Sequence, residues 1–292
     1  TSIGQAVGPT AVIGQIEIIN PDEPPLFEPQ FPVEHDFPAL GLRMLGYNQD
    51  RSEAAPGEPV LITLFLECID PEICVRFVLR LEDNKGVGLE EWWLPAIRDD
   101  FSLDAWPDHG RLRAQHVIQL PAGLESGRYR FLLEDLPLGE IAITAPERTF
   151  TQPELTQPLD AAFTTAEGAP VATLAGVALD PSVPPCAPVP GAACSLPLVW
   201  RADGEASVGY HAFVHLVDEA GNILAQSDAV PAGWTRPTTG WLPGEYVVDV
   251  HTLTLPSGLP SGQLTFRVGL YDPATGERLS ANGTDAVLVT LP

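Results

Sequence analysis

FVLRLEDNKG (77–86) and AFVHLVDEAG (212–221) are the stretches that decide the fold, because the second repeats the pattern of the first 135 positions later. The same offset carries Gly127 onto Gly262, and no gap is needed from 77 to 131. Self-similarity of this length predicts a tandem repeat in which each copy is one structural unit.

Each copy contains short runs that alternate apolar and polar residues, as half-buried strands do. RAQHVIQLP (113–121) and VDVHTLTLP (248–256) are one matched pair of such runs. Short strands at regular spacing with turn signals between them are typical of the immunoglobulin-like sandwich. The sequence therefore predicts an all-β protein with two tandem immunoglobulin-like β-sandwiches and an extra N-terminal strand.

Composition agrees with this class. Among 292 residues, 45% are hydrophobic, which is enough for a substantial core. The chain has 31 prolines and 26 glycines, and long helices tolerate neither residue. The patterns divide the chain into an orphan strand with a proline-rich linker (1–32), a first sandwich (33–146), a second linker (147–160) and a second sandwich (161–292).

The N-terminal stretch VIGQIEIINP (12–21) resembles PLGEIAITAP (137–146), the predicted closing strand of the first sandwich. We interpret the N-terminal stretch as a closing strand whose own sandwich is absent. It is predicted to pair with a sheet of a neighbouring copy, with Ile13, Ile16 and Ile18 as its contact residues. A head-to-tail contact of this kind yields a filament. The alternative, in which the strand folds back onto its own first sandwich, stays open.

Charge excludes some functions and leaves one cation hypothesis. The net charge is −24 and Lys85 is the single lysine, so binding to nucleic acid is not expected. No apolar run has the roughly 18–20 residues of a membrane span, so no membrane insertion is expected.

Acidic residues such as Asp218 and Glu219, or Asp99, Asp100 and Asp104, offer oxygen ligands for calcium. They lack the spacing of a calcium loop, so we expect solvated turns and no cofactor, with calcium as the alternative.

Four cysteines form two close pairs, Cys68 with Cys74 and Cys186 with Cys194. Three connectivities are possible, and local pairing within each half is the simplest. Disulfides in an acidic, proline-rich β protein favour an extracellular or cell-surface location. Four buried thiols are the alternative, while zinc is disfavoured because neither pair has the two-residue spacing of a zinc knuckle.

Six motifs together carry a family resemblance: LGY (45–47), PGE (56–58), LGEIAI (138–143), FVHLVDEAG (213–221), WLPGE (241–245) and LPSGLPSGQLTFRVGLYDPATGERL (255–279). In these motifs the sequence resembles tandem extracytoplasmic immunoglobulin-like repeats of bacterial surface proteins, similar to modules appended to membrane glycosyltransferases of the lipid-linked-sugar type. The first copy departs from this pattern at PDHGR (107–111), where WLPGE would continue, and it lacks the hairpin insertion YDPATGERL (271–279). The resemblance implies architecture and location, with no assigned catalytic residues.

Aromatic residues suggest a glycan site. Trp92, Trp93 and Trp234 lie in contexts typical of loops and are candidates to stack on sugar rings, with packing of loops or of an interface as the alternative. Trp106 and Trp241 recur at the repeat offset, which favours a structural role.

Two further polar motifs each have a plainer alternative. His211, His215 and His251 are a possible metal cluster, against the simpler interpretation of half-buried strand histidines. Asn282 begins a glycosylation sequon that also reads as a hairpin turn.

No catalytic motif is evident, whether a G-x-S-x-G elbow or H-E-x-x-H. We therefore expect no catalytic and no metal site. The leading hypothesis is a non-enzymatic extracellular structural protein, a subunit of a surface assembly or filament whose partners are other copies of itself. The alternative is a carbohydrate-binding or accessory module of a cell-envelope glycosyltransferase-type protein.

Overall fold

The structure is a computed structural model, and it describes residues 28–70, 76–96, 110–179, 186 and 189–290. A 3-10 turn at Pro38–Leu40 joins the first two strands. The strands of the N-terminal half are β1 (Phe31–Phe37), β2 (Leu42–Gln49), β3 (Glu53–Ala54), β4 (Pro59–Cys68), β5 (Arg76–Asp83), β6 (Gly88–Pro95), β7 (Arg111–Gln119), β8 (Gly127–Leu133) and β9 (Leu136–Ile143).

The strands of this half form two sheets that face each other. One sheet has the order β1-β2-β4-β7 and the other β3-β9-β8-β5-β6. Their inward side chains enclose one apolar core that includes Met44, Leu64, Leu79 and Phe131. This half, called the first sandwich below, has the predicted architecture.

The second half repeats that design. A 3-10 helix, Thr238–Gly240, precedes β15. The strands are β10 (Leu155–Thr164), β11 (Pro170–Ala178), β12 (Ala193–Ala202), β13 (His211–Val217), β14 (Ile223–Ala229), β15 (Tyr246–Thr254), β16 (Thr265–Tyr271), β17 (Ser280–Ala281) and β18 (Val287–Thr290).

The sheet orders are β15-β12-β11-β10-β17 and β14-β13-β16-β18, and they enclose a core that includes Phe163, Trp200, Val214 and Phe266. This half is called the second sandwich. The all-β prediction is confirmed for the described residues, with antiparallel pairing throughout except between β3 and β9.

The repeated motif that opened the sequence forms the same turn in both sandwiches. Gly86 and Gly221 have φ of +79° and +83°, the left-handed region that glycine occupies readily. Asp83 Oδ1 accepts hydrogen bonds from two backbone N–H groups of its turn, and Asp218 Oδ1 does the same in the second copy. These bonds favour the carboxylate, so the pKa of each aspartate is lowered: for Asp83 by backbone N–H donors and for Asp218 first by the side chain of Asn222.

Two strands begin inside segments that the sequence predicts as linkers, 1–32 and 147–160. Strand β1 begins at Phe31, and β10 begins at Leu155, inside the segment 147–160 that the sequence predicts as a linker. The prolines of that segment are accommodated by irregular pairing, since the register between β10 and β11 shifts between Pro158 and Ala161. Proline is tolerated at bulges and sheet edges, so it does not exclude a strand here.

Several predictions fall on residues outside the described ranges. The N-terminal strand with Ile13, Ile16 and Ile18, the acidic group at 99–104, Cys74 and Trp106 all belong to this set. Within the described part of the chain, no helix combines the length and the apolar character that crossing a bilayer requires.

Candidate functional site

The two sandwiches meet at a main-chain contact between Gly57 and Gly240. A Cβ atom on Gly57 would overlap the Gly240 backbone, and a Cβ atom on Gly240 would overlap the Pro56 carbonyl oxygen. The Gly57 carbonyl oxygen accepts hydrogen bonds from the Thr239 hydroxyl, at 2.6 Å, and from the Gln119 side-chain amide. Glycine at both positions permits this close approach, which a side chain on either would prevent.

Arg148, in the connection between the sandwiches, bonds to both of them. Its Nη2 donates to the Ala122 carbonyl oxygen at 2.7 Å. Its Nη1 donates to the Gly240 carbonyl oxygen at 3.0 Å and to the Glu245 carboxylate at 2.5 Å. Glu245 is fully buried and also accepts a hydrogen bond from Arg236. Because a buried carboxylate needs such partners, these three charged side chains form one unit, called the joint cluster.

A second buried polar group lies on the inward face of β15. Asp249 and His251 are 1% and 2% exposed. His251 Nε2 lies 3.0 Å from Asp249 Oδ2, and His251 Nδ1 lies 2.9 Å from the hydroxyl of Ser227 on β14. Asp249 Oδ2 also accepts a hydrogen bond from Trp200 Nε1 at 3.1 Å. The ring and the carboxylate are sealed from solvent and Ser227 is half-buried, so this chain of Ser, His and Asp ties β14, β15 and β12 together from within the core.

The same Asp249 carboxylate fixes a turn at the surface. Its Oδ1 accepts the backbone N–H of Ala232 at 2.8 Å. Ala232, Gly233 and Trp234 all lie in the left-handed region, with φ of 55°, 63° and 73°. Glycine adopts this region readily, but the alanine and the tryptophan each cost about 1–2 kcal/mol there. The turn Pro231–Trp234, called the Trp234 turn, therefore exists because buried contacts enforce it.

The Trp234 turn presents its tryptophan beside two other rings. Trp234 is 63% exposed, and its ring meets the His211 ring edge to face at a centroid distance of 5.3 Å. His211 in turn meets Tyr271 at 5.6 Å. We call these three side chains the Trp234 surface. They lie on the outer side of the sheet β14-β13-β16-β18, with Phe213 beneath Arg278 nearby.

Trp92 and Trp93 do not lie in loops, as the sequence interpretation had them, but on the regular strand β6. Aromatic residues favour extended structure, and β6 pairs along β5 with Trp92 opposite Leu79 and Trp93 opposite Val78. Successive residues of a strand face opposite sides, so Trp92 packs against the core while Trp93 is 66% exposed. The pair therefore does not form one stacking platform.

The predicted disulfide of the second sandwich is confirmed, since Cys186 and Cys194 are bonded. Disulfides are typical of proteins that work outside the cytoplasm. Cys68 is buried on β4, and its predicted partner Cys74 lies outside the described residues.

The three candidate histidines are not brought together. His211 and His215 lie on the outer side of β13, whereas His251 points into the core from the opposite sheet. Burial lowers the pKa of His215, and the Asp228 carboxylate, 3.8 Å from its Nε2, opposes this. Among the described residues, no group of three His, Cys, Asp or Glu side chains is arranged to hold a metal ion.

The predicted turn at Asn282 is present. Asn282 and Gly283 have φ of 51° and 84°, as a hairpin turn of the Asn-Gly type requires. Asn282 is exposed, and glycosylation there stays a prediction.

Sequence reasoning missed the joint cluster and the buried network. Asp249 and His251 share one face of the alternating run with Leu253, and a carboxylate on the same face as a leucine was an available signal of a polar network. Glu245 ends the WLPGE motif, where the first copy has Gly110. Arg148 lies in a stretch without periodicity, so no local pattern indicated its role.

Comparisons with known proteins add little. No protein-family model matches the chain, and no curated protein matches it. A trypsin-activated α2-macroglobulin from Escherichia coli is similar at 11% identity over 87% of this chain and 16% of its own chain, with a TM-score of 0.23. The chain thus spans a small part of that protein, and a similarity this weak bears on neither fold nor function. The resemblance to modules of membrane glycosyltransferases stays a prediction.

Proposed function

We propose that the chain is a non-enzymatic structural protein outside the cytoplasm, in which the two sandwiches act as one stiff unit. The observation that carries this proposal is the placement of Arg148, whose side chain bonds to Ala122 on one side and to Gly240 and Glu245 on the other. Contacts between linked domains are commonly polar and mobile. A buried charge cluster and a glycine-to-glycine contact instead favour one fixed orientation.

The energetics support a fixed joint. Removing one partner of a buried ion pair costs about 3–5 kcal/mol, because the remaining charge stays buried without compensation. Glu245 is fully buried, and the side chains of Arg148 and Arg236 are only 14% and 15% exposed. Bending the molecule at this point would expose or separate these groups, so the joint resists bending.

The test measures the relative orientation of the sandwiches by residual dipolar couplings and small-angle X-ray scattering. We expect one alignment tensor for both sandwiches in the wild type. Arg148→Ala and Gly57→Val should each give two separate tensors and a larger radius of gyration. Arg128→Ala, which removes a surface arginine with a 77% exposed side chain, is the control and should change nothing. Two tensors in the wild type, or a single tensor in Arg148→Ala, would contradict the proposal.

We further propose that this unit is a subunit of a cell-surface assembly, joined to a neighbouring copy by strand addition through residues 11–20. The support is the likeness of Gly14–Ile18 to Gly139–Ile143 of β9. In β9, Ile141 and Ile143 are 0% and 3% exposed, so side chains in this pattern need a host sheet.

Deletion of residues 1–20 tests strand addition. We expect the intact protein to form concentration-dependent oligomers by size-exclusion chromatography and electron microscopy, and the deleted protein to be monomeric. A monomeric intact protein, or assembly that survives the deletion, would refute this step and leave the stiff joint untouched.

A further inference from the structure

We propose that the Trp234 surface binds a neutral sugar ring of a glycan, with the exposed face of Trp234 as the stacking platform. The proposal goes beyond the structural role and does not depend on the stiffness of the joint. It rests on three observations: the strained turn that presents the tryptophan, the small size of the exposed aromatic area, and the polar groups around it.

The Trp234 turn is held in a costly conformation by interactions that reach into the core. Asp249 accepts the Ala232 N–H, the Trp234 N–H donates to the Val230 carbonyl oxygen at 3.0 Å, and the Thr235 hydroxyl donates to the Ala232 carbonyl oxygen at 2.7 Å. Despite this support, Trp234 itself remains 63% exposed. An apolar ring fixed in water by a strained turn gains nothing in the free protein, and strain of this kind accompanies binding sites. Fixing the ring in advance lowers the entropy cost of stacking.

The size of the exposed area selects the kind of ligand. A single tryptophan buries about 150–250 Å² when it is covered. A stable protein interface needs about 800 Å² from each partner. The neighbouring rings, His211 and Tyr271, are half-buried and extend the exposed aromatic area less than Trp234 does. One pyranose ring matches this area, whereas a folded protein surface does not.

The surroundings of the ring match the chemistry of a sugar. A pyranose has a face of C–H groups and a rim of hydroxyls, so it needs an apolar ring with polar groups beside it. The outer face of the sheet supplies three such groups: His211, the Tyr271 hydroxyl and the Asp228 carboxylate. Burial raises the pKa of Tyr271, and the negative charge of the nearby Asp228 raises it further. Because the protein carries a net charge of −24, an anionic glycan is disfavoured and a neutral one is expected.

Trp93 serves as a matched control within the same chain. It is exposed to nearly the same degree, 66% against 63%, yet it lies on an ordinary strand opposite Val78. On the same face of the sheet, Glu91 of β6 and Arg80 of β5 are occupied by an ion pair at 2.8 Å. If exposure of a tryptophan alone created a glycan site, both residues would contribute equally.

The experiment screens the intact protein against an array of neutral and acidic glycans, and then measures Kd for a neutral oligosaccharide by ligand-observed NMR and calorimetry. We expect Trp234→Ala to raise Kd at least about tenfold, equivalent to about 1.4 kcal/mol. Trp234→Phe should lose less, and Trp93→Ala should leave Kd unchanged. Ala232→Gly keeps the ring but relaxes the turn, so it should weaken binding by a smaller factor, with near-ultraviolet circular dichroism confirming the fold of each variant.

Three outcomes would overturn the inference. The first is that the wild type binds no neutral oligosaccharide at millimolar concentration. The second is that Trp234→Ala binds as well as the wild type, or that Trp93→Ala loses binding equally. The third is a preference for acidic glycans, which would contradict the charge argument.

Discussion

β7 of the first sandwich and β15 of the second occupy equivalent places, yet their inward faces differ. His116 lies opposite Ile62 of β4, and His251 lies opposite Leu196 of β12, so the two histidines are matched in register. His251 has a partner at each ring nitrogen. His116 Nε2 is buried without a hydrogen-bond partner among the described residues.

The difference arises from the residues around the two histidines. Where the second sandwich has Asp249 and Ser227, the repeat offset places Ala114 and Trp92 in the first. Trp92 packs against the first core, and Ala114 offers no carboxylate. One copy thus fills this region with apolar contacts and the other with a polar network that supports the Trp234 turn. A repeated framework can therefore keep its packing in one copy and position a surface residue in the other.

Removing the Asp249 carboxylate, which accepts three hydrogen bonds in the buried network, is expected to have the largest effect on the stability of the second sandwich. Asp249→Ala should destabilise the second sandwich by about 3–5 kcal/mol, because three donors lose their acceptor inside the core. Asp285→Ala removes an exposed carboxylate paired with Arg267 and Arg278 and should cost less than about 1 kcal/mol. Urea denaturation measures both, and equal effects would mean that the buried network contributes no special stability.

Replacing the matched histidines should give opposite results. His251→Leu removes one of the three donors to Asp249 and leaves the Ser227 hydroxyl without its ring partner, so it should cost about 2 kcal/mol. His116→Leu removes an unsatisfied buried nitrogen and should change stability by less than about 1 kcal/mol, or increase it. Thermal unfolding compares the two variants with the wild type. A larger loss for His116→Leu would show that the first sandwich has its own polar partner for this ring.

The shared turns should respond alike. Gly86→Ala and Gly221→Ala each place a side chain at φ near +80°, where the surrounding space is open and only backbone strain opposes the change. Each should cost about 1 kcal/mol. Denaturant midpoints for the two variants should therefore shift by similar amounts. Clearly different shifts would show that the two turns contribute differently to stability although they occupy matched positions of the repeat.

The smallest expected effect depends on pH. Burial lowers the pKa of His116 below the ordinary value of 6.5, so below that pH the unfolded chain binds more protons than the folded one. The contribution of His116 to the free energy of unfolding is therefore present above pH 6.5 and falls as the pH drops below 6.5, with a slope below about 1.4 kcal/mol per pH unit. His215 contributes in the same direction in the second sandwich. His116→Leu should reduce the pH dependence, and an unchanged slope would contradict the assignment.

The repeat was predictable because its two copies align without a gap from 77 to 131, and the strand alternation and the turn glycines were predictable because each depends on residues close in sequence. Cys186 and Cys194 were paired correctly for the same reason. The joint cluster was not predictable, since Arg148 and Glu245 are 97 positions apart and neither lies in a periodic pattern that assigns its partner. The Trp234 turn was also beyond local rules, because alanine and tryptophan disfavour the left-handed region and the turn is supported there by Asp249, which is distant in sequence.

The position of Arg148 also has a mechanical consequence. The residue belongs to the covalent connection between the sandwiches, while its guanidinium is anchored in both. Tension applied along the chain is shared by these bonds and by the Thr149–Tyr246 backbone pair before residues 150–154 can extend. The connection between the sandwiches therefore resists extension while these bonds hold. It lengthens only after the buried charges of the joint cluster have separated.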